Sequence, residues 1–431
     1  MLGASRRDRA AVTRRDETSG VLAAVNKSDS NDTINTANTA SGPLVAQRDL
    51  RLDFFRGLAL FCIFIDHIPD NILAQFTLQS LIFSDAAEVF ILISGFTAGL
   101  VFGRAMERQG FVIAAVRIYH RVWQLYVAHI FLFMLFMATV AYTVGALNSS
   151  LYAEEFRAAN FLNEPGVAVV KALTLQFQPA FMDILPLYIV LLAILPFVLV
   201  GFRSRPGVVI FVSFVLWIAV QFDKRIAIPA YPGPDRVWYF NPYAWQALFV
   251  VGAWLGCRGA RDNVSWLSHR WLFWLAAGFS LASFVIRFNW TLHDLYDPIP
   301  VLVNPDLLWP LLSKGDLGVL RFVNVIALAL IVARLIHPQA PFLASRAARP
   351  FVICGRNSLH IFCLGILLSV LGQMVLNEFF GGIFMQLGIS AAGIAIMIGI
   401  AALMEWFAAA QRRPSSGRVL GAPMTGRGTP G

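Results

Sequence analysis

The stretch RLDFFRGLALFCIFIDHIP, residues 51–69, has the apolar character of a membrane-spanning helix but carries ionisable side chains at both ends. Arg56 opens the apolar run, and Asp66 and His67 lie near its far end. An ionisable group at membrane depth costs free energy, so such groups usually face a cavity or a partner within the protein. The placement of these three residues therefore calls for a functional explanation.

The composition of the chain is typical of an integral membrane protein. Of its 431 residues, 58% are hydrophobic and 14% are charged, and the mean hydropathy is +0.66, whereas soluble domains have about 25% charged residues. The net charge of +9 comes mainly from basic residues in the two ends of the chain and in short gaps between apolar runs. This distribution indicates a positive-inside membrane protein and argues against nucleic acid as a partner.

Apolar segments that meet the spanning requirement of about 17 to 25 residues predict an all-α membrane protein with about ten transmembrane helices. The segments are 52–69, 83–103, 122–145, 183–202, 206–221, 243–257, 271–289, 317–335, 351–376 and 383–405. Residues 111–121 are predicted as an amphipathic surface segment, and residues 165–177 as another or as a re-entrant turn. Polar residues 1–47 and 406–431 are predicted as disordered cytoplasmic tails around a transmembrane domain of residues 48–405.

The loops between these segments predict that both termini are cytoplasmic. With the N-terminus inside, the inner loops carry twelve arginines and the outer loops carry six lysines and arginines, as the positive-inside rule requires. The longer loops, 146–182, 222–242 and 290–316, are then external and rich in aromatic and acidic residues. Two interpretations of these loops stay open: a surface that stacks on sugar rings, or an interfacial aromatic belt.

Arg56 and His67 are eleven residues apart on the first predicted helix. That spacing is about three helical turns, so both side chains project from one face, roughly 16 Å apart along the axis. With the N-terminus inside, Arg56 lies towards the cytoplasm and His67 towards the outside. The pair is either a functional face or an anchoring arginine with an interfacial histidine.

The second predicted helix carries two carboxylates at its outer end. Asp85 and Glu88 share one face and lie at about the depth of His67. A carboxylate near the imidazole would fix its tautomer and raise its basicity, as a general base requires. Asp66 is the third candidate if the first helix ends there. Three glycines at four-residue spacing on the second helix predict close helix packing: Gly95, Gly99 and Gly103.

Five blocks of this sequence resemble segments of the OpgC family, a branch of the integral-membrane acyltransferases. In order, they are RLDFFRGLALFCIFIDHIP, FSDAAEVFILISGFTAG, MDILPLYIVLLAILP, FNPYAWQALFVVGAWLG and CGRNSLHIFCLGILLS. The resemblance covers residues 48–405 and implies an enzyme of the bacterial inner membrane. Such an enzyme attaches succinyl groups to osmoregulated periplasmic glucans, with a cytoplasmic acyl-CoA as the donor substrate. Arg56 would then face the donor, and His67 the acceptor.

With this interpretation, His67 is predicted as the general base that takes the proton of a glucan hydroxyl. Asp66, Asp85 or Glu88 would orient the ring and stabilise the imidazolium. No phosphate-binding loop, dinucleotide fingerprint or metal-ligand cluster is visible in the sequence, so no tightly bound cofactor is expected.

Arginines are the predicted donor-binding residues, because arginine suits bidentate phosphate contacts. The candidates are Arg56, Arg117, Arg121 and Arg356. Arg321, with Asn324 at i+3, is predicted to bind the free carboxylate of a succinyl donor, and Arg287 is the fallback. The alternatives are ordinary positive-inside arginines and a snorkelling Arg321. The role of His360 is left undecided.

Two functions of other classes compete with acyl transfer. A transporter or flippase for a sugar or an anionic substrate would also place charged side chains along its path. Transporters more often show broken helices in matching halves, and the sequence shows no such pattern. A scaffold without chemistry leaves the spacing of Arg56 and His67 and the carboxylate pair unexplained.

Overall fold

The computed structural model describes residues 49–147, 151–233, 235–258, 269–379 and 381–412, and these residues are mainly helical. The α-helices are α1 (Leu50–Asp66), α2 (Leu78–Leu81), α3 (Ala86–Leu147), α4 (Leu151–Glu155), α5 (Ala159–Asn163), α6 (Pro165–Leu173), α7 (Ile184–Ser204), α8 (Pro206–Phe222), α9 (Pro242–Arg258), α10 (Arg270–Leu295), α11 (Pro305–Leu308), α12 (Val319–Leu335), α13 (Arg349–Arg356), α14 (Ser358–Glu378) and α15 (Ile383–Arg412). Short 3₁₀ segments are Ile72–Phe76, Trp309–Leu311 and Pro341–Ala344.

The predicted all-α class is confirmed for the described residues, which contain only isolated β-bridges besides helices and turns. Residues 1–47 and residues 413–431 of the predicted tails lie outside the described residues. The C-terminal tail was predicted to begin at residue 406, but α15 continues to Arg412. Alanine-rich sequence without proline or glycine explains this extension, since nothing in AALMEWFAAAQR disfavours a helix.

Five described helices are long and apolar enough to cross a membrane. They are α3, α7, α10, α14 and α15, and α8 is a shorter apolar helix. Each of the ten predicted spans overlaps a helix, but α1, α8, α9 and α12 have 17 residues each. Such a helix is about 25 Å long, slightly less than the hydrocarbon core. The number of ten spans and the cytoplasmic termini stay predictions.

Helix α3 joins the second and third predicted spans through residues 111–121. Its only non-helical backbone is at Gly110, where φ is 85°, a conformation that favours glycine. No further glycine or proline occurs before Gly145, so the helix continues without interruption after the kink. The predicted separate surface segment is therefore the first part of the third spanning helix.

The ninth predicted span is broken into α13 and α14 at Asn357. Asn357 has φ −102° and ψ 31°, and its Nδ2 donates to the carbonyl of Ile353 at 3.0 Å. This side-chain bond replaces part of the lost backbone pairing. The sequence predicted one continuous span here, because CGRNSLH contains no proline to mark a break.

Small residues let α3 and α9 approach each other closely. A Cβ added to Gly99 would lie 2.1 Å from the Ala253 carbonyl oxygen, and one added to Gly256 would lie 2.0 Å from that of Phe96. Gly95 likewise meets the backbone of α9. The predicted packing role of the glycines is confirmed, and it fixes the position of α3 beside the site described below.

Candidate active site

Two cavities lie along α1 and meet each other. The Arg56 cavity has a volume of about 200 Å³ and is lined by Arg56, Arg121 and mainly apolar side chains. The His67 cavity has a volume of about 260 Å³ and is lined by His67 with several charged residues. Ile184 and Phe362 line both cavities. The two spaces are therefore adjacent, with these two side chains at the boundary.

The imidazole of His67 is held by the last turn of its own helix. Its Nδ1 lies 2.5 Å from the carbonyl oxygen of Ile63, and the ring of Phe181 packs edge-on at a centroid distance of 4.7 Å. Because a carbonyl only accepts hydrogen bonds, this contact places the hydrogen of the neutral ring on Nδ1. Nε2 then keeps its lone pair and is able to accept a proton.

This contact differs from the prediction that Asp66, Asp85 or Glu88 fixes the His67 tautomer. Asp66 also lines the His67 cavity, but it accepts a hydrogen bond from Oγ1 of Thr77 at 2.5 Å. Within the described ranges, no carboxylate forms an ion pair with His67. The hydrogen-bond partner of Nδ1 is instead the Ile63 carbonyl, one turn back on the same helix.

The two carboxylates of the second predicted helix form a buried ionic network. Asp85 lies 2.6 Å from Nζ of Lys314 and 3.0 Å from Nη2 of Arg321. Glu88 lies 2.5 Å from Nε of Arg321 and accepts from the backbone N–H of Asp85 at 2.9 Å. Asp85 also caps α3 by accepting from the backbone N–H of Ala87 at 2.7 Å. The network joins the start of α3 to α12 and to the loop before it.

Lys314 contributes a positive charge to the His67 cavity. Burial alone would lower the pKa of Lys314, but the carboxylate of Asp85 outweighs this effect and shifts the pKa upward. Lys314 therefore stays protonated at neutral pH. Asp85 and Lys314 both line the cavity, whereas Glu88 and Arg321 lie behind them.

The structure places Arg321 away from both cavity walls, with its guanidinium held by Glu88 and Asp85. Asn324 accepts from the hydroxyl of Ser84 at 2.8 Å, which fixes the backbone just before Asp85. The fallback, Arg287, donates from Nε to the carbonyl of Gln79 at 2.9 Å. These three side chains therefore support the cavity and do not face it.

Of the predicted donor-binding arginines, the structure brings two together. Arg56 is 9% exposed and donates from Nη2 to Oγ1 of Thr97 at 3.0 Å. Arg121 lines the same cavity. Arg117 is exposed and lines neither cavity, and Arg356 lines a separate one. Arg117 and Arg121 are one turn apart on α3, but only Arg121 lines the cavity.

A family model described as OpgC protein matches residues 48–409. The chain belongs to the OpgC family. The match starts where the predicted N-terminal tail ends and covers all the helices that line the two cavities. A search of curated proteins and a search of solved structures each returned no similar protein. Membership of the OpgC family implies a transferase with a role in glucan modification.

Besides Gln79, four polar residues of the OpgC chain line the His67 cavity without having been predicted as site residues: Arg157, Asp183, Tyr239 and Lys314. All four lie in or beside the predicted external loops. Two lining residues have left-handed backbone, with φ of 53° at Arg157 and 69° at Phe181. Strained backbone of this kind often occurs at functional sites. His360, by contrast, is exposed and lines neither cavity.

Proposed function

We propose that this protein transfers an acyl group, succinyl in the first instance, from a cytoplasmic acyl-CoA to a hydroxyl of a periplasmic glucan, in the bacterial inner membrane. One observation carries the proposal. Arg56 and His67, on the same helix, line two cavities that meet at Ile184 and Phe362. A transferase that acts across a membrane needs such an arrangement, because donor and acceptor approach from opposite sides. The OpgC family match supports the same reaction class.

The Arg56 cavity is the proposed path of the donor. It is mainly apolar, with Arg56 and Arg121 as its cationic groups. An acyl-CoA has a long thin pantetheine arm and a phosphorylated nucleotide, and arginine binds phosphate through paired N–H groups. The arm would run along α1 and bring the thioester to Phe362 and Ile184.

The chemistry at the boundary is general-base catalysis by His67. Nε2 takes the proton of the glucan hydroxyl while the hydroxyl oxygen forms a bond to the thioester carbon. The carbon–sulfur bond then breaks, and the sulfur leaves with the proton that His67 has accepted. The Ile63 carbonyl holds Nδ1–H throughout, so the ring does not have to turn between the two proton transfers.

The cations of the His67 cavity are proposed to bind the free carboxylate of a succinyl group. Arg321 was the sequence-based candidate, but Glu88 and Asp85 already hold its guanidinium. Arg157 lines the cavity, is exposed at its edge and forms no salt bridge among the described residues, although the carboxylate of Asp183 in the same cavity interacts with it electrostatically. We therefore assign this role to Arg157, with Lys314 adding positive charge beside it.

Transfer is tested with purified protein in liposomes, radiolabelled succinyl-CoA or acetyl-CoA, and periplasmic glucan as acceptor. The expected result is label in the glucan from succinyl-CoA and much less from acetyl-CoA. Arg157→Gln should lower succinyl transfer more than acetyl transfer, whereas Arg321→Gln should lower both equally through its effect on the fold. If no label enters the glucan and neither thioester is hydrolysed, although the protein is folded and the glucan suitable, the proposed reaction is wrong.

Transport is the second candidate function, and one observation favours it. The break between α13 and α14 at Asn357 resembles the discontinuous helices of secondary transporters. Only one break of this kind occurs among the predicted spans that the structure describes, whereas transporters usually have a matching pair. A carrier would move glucan or anion across liposomes without consuming a thioester, so the same preparation distinguishes the two functions.

A further inference from the structure

A third cavity, which acyl transfer does not use, opens where α1, α13 and α15 meet. Its volume is about 560 Å³, and it shares no lining residue with the Arg56 cavity or the His67 cavity. Its charged lining residues are Arg346, Arg349, Arg356 and Glu405. The remaining lining residues are mainly aliphatic, with one tryptophan, Trp406.

The charges on this cavity do not cancel. Arg356 is shared between Glu405 at 3.4 Å and Asp53 at 3.5 Å. Arg346 and Arg349 are exposed, and neither forms an ion pair with a carboxylate in the described part of the chain. Two guanidinium groups are thus available to an anion, and phosphate is the anion that arginine recognises best in proteins.

The wall that α15 contributes to the cavity is apolar apart from Glu405. Trp406 is 66% exposed, and its neighbours Leu403 and Phe407 are 56% and 57% exposed. Large apolar side chains that are exposed on a spanning helix contact lipid, and tryptophan is enriched at the level of the headgroups. The cavity therefore combines cations with a lipid-facing apolar surface.

The third cavity is not an entrance to the donor path. Between it and the Arg56 cavity, α1 crosses α13 in backbone contact. A Cβ added to Gly57 would lie 1.9 Å from the Phe351 carbonyl oxygen, and one added to Gly355 would lie 1.8 Å from that of Asp53. This crossing leaves no room for even a methyl group, so an acyl chain has no passage there.

We propose that this cavity binds an anionic phospholipid, with the headgroup phosphate on Arg346 and Arg349 and an acyl chain along Trp406. A free phosphate would satisfy the same guanidinium groups, but only a lipid also uses the apolar wall of α15. Basic pockets between spanning helices are known sites for such headgroups. The bound lipid would brace the short helix α13 against α15, beside the ion pairs of Arg356, and so stabilise α1 indirectly.

The proposal is tested by titrating the full-length protein in detergent with phosphatidylglycerol or phosphatidylcholine and counting bound lipids by native mass spectrometry. Wild type should retain phosphatidylglycerol and not phosphatidylcholine. The double variant Arg346→Gln/Arg349→Gln should bind phosphatidylglycerol about 30-fold more weakly, because each arginine near an anionic lipid contributes about 1 kcal/mol. The control variant Arg108→Gln/Arg270→Gln removes two exposed arginines away from the cavity. It should change the affinity for phosphatidylglycerol less than about twofold, as expected of surface charges.

Competition in the same assay identifies the source of the phosphate. Trp406→Ala should weaken the binding of phosphatidylglycerol without affecting that of inorganic phosphate. Displacement of the lipid by equimolar inorganic phosphate would make this a site for a soluble anion, and displacement by coenzyme A would assign it to the donor. Either result overturns the lipid proposal, as would equal lipid binding by wild type and the arginine double variant. None of these outcomes depends on whether acyl transfer occurs.

Discussion

The Arg56 cavity and the His67 cavity share one helix and two lining side chains, but their walls differ in chemistry. The Arg56 cavity has two arginines among apolar side chains, and none of its described lining residues is acidic. The His67 cavity contains three aspartates, a lysine and an arginine in addition to the imidazole. The first suits a thin molecule with an anionic end, and the second suits a polyhydroxylated one. This difference supports the proposal of a donor site and an acceptor site that meet at Ile184 and Phe362.

The largest expected effect comes from the imidazole. His67→Ala should lower kcat for acyl transfer by about 10²- to 10⁴-fold, since this is the usual contribution of a positioned general base. The KM for the acyl-CoA donor should stay nearly constant, because the proposed donor site is the Arg56 cavity. Initial rates at varied donor concentration measure both quantities. A variant with near-normal kcat would remove His67 from the chemistry and leave the His67 cavity as a binding site only.

The ionic network behind the His67 cavity predicts a large effect on stability. Arg321→Met should lower the free energy of unfolding by about 3 to 5 kcal/mol, because it leaves Glu88 buried without its cation. The double variant Glu88→Met/Arg321→Met should recover most of that loss. Unfolding titrations in detergent measure the free energy of unfolding of both variants.

Arg287→Met provides the matched control for this network, since the structure gives Arg287 one hydrogen bond to a backbone carbonyl. Its loss should be about 1 kcal/mol. If Arg287→Met and Arg321→Met were equally destabilised, the network would not be what holds α3 against α12.

Arg56 and Arg117 were both predicted to bind the donor, but only Arg56 lines a cavity. Substituting each of them in turn tests which surface the donor contacts. Arg56→Gln should raise the KM for acyl-CoA by about 10- to 100-fold, since hydrogen bonds from a charged donor contribute about 1.5 to 3 kcal/mol. Arg117→Gln should change the KM less than about twofold, as for other exposed charges. Equal changes would show that the donor lies along the outer surface of α3 and not in the Arg56 cavity.

The smallest expected effect concerns Phe362, which lies at the boundary between the Arg56 cavity and the His67 cavity. Phe362→Ala should improve the use of acyl donors longer than succinyl by about tenfold in kcat/KM relative to succinyl-CoA, because each methylene that fits a pocket contributes about 1 to 3 kcal/mol. Phe102→Ala, which changes only the Arg56 cavity, should leave this ratio unchanged. A series of thioesters of increasing chain length gives the ratio. The same chain-length profile in both variants and wild type would place the limit elsewhere.

Much of the helical framework was predictable from the sequence, because membrane spans depend on local composition. Nine of the ten predicted spans correspond to one unbroken stretch of helix each, and the glycines of α3 pack as their spacing indicated. The break at Asn357 was not predictable in this way, since apolar residues continue on both sides of it and no proline marks it. The position of the kink at Gly110 is indicated in the sequence by a glycine between two apolar runs. The direction of the kink is not indicated by the sequence.

The sequence by itself determined which side chains are costly in a membrane: Arg56, His67, Asp85 and Glu88 all proved to lie in or beside a polar site. Only the tertiary structure decided their partners. Helical spacing orients residues on one element, but it does not say that Lys314 and Arg321 meet Asp85 and Glu88 from more than 200 positions away. It also could not show that a backbone carbonyl, available to every helix end, holds His67. Composition and period are local properties of the chain, whereas a cavity is made by elements that are distant in sequence.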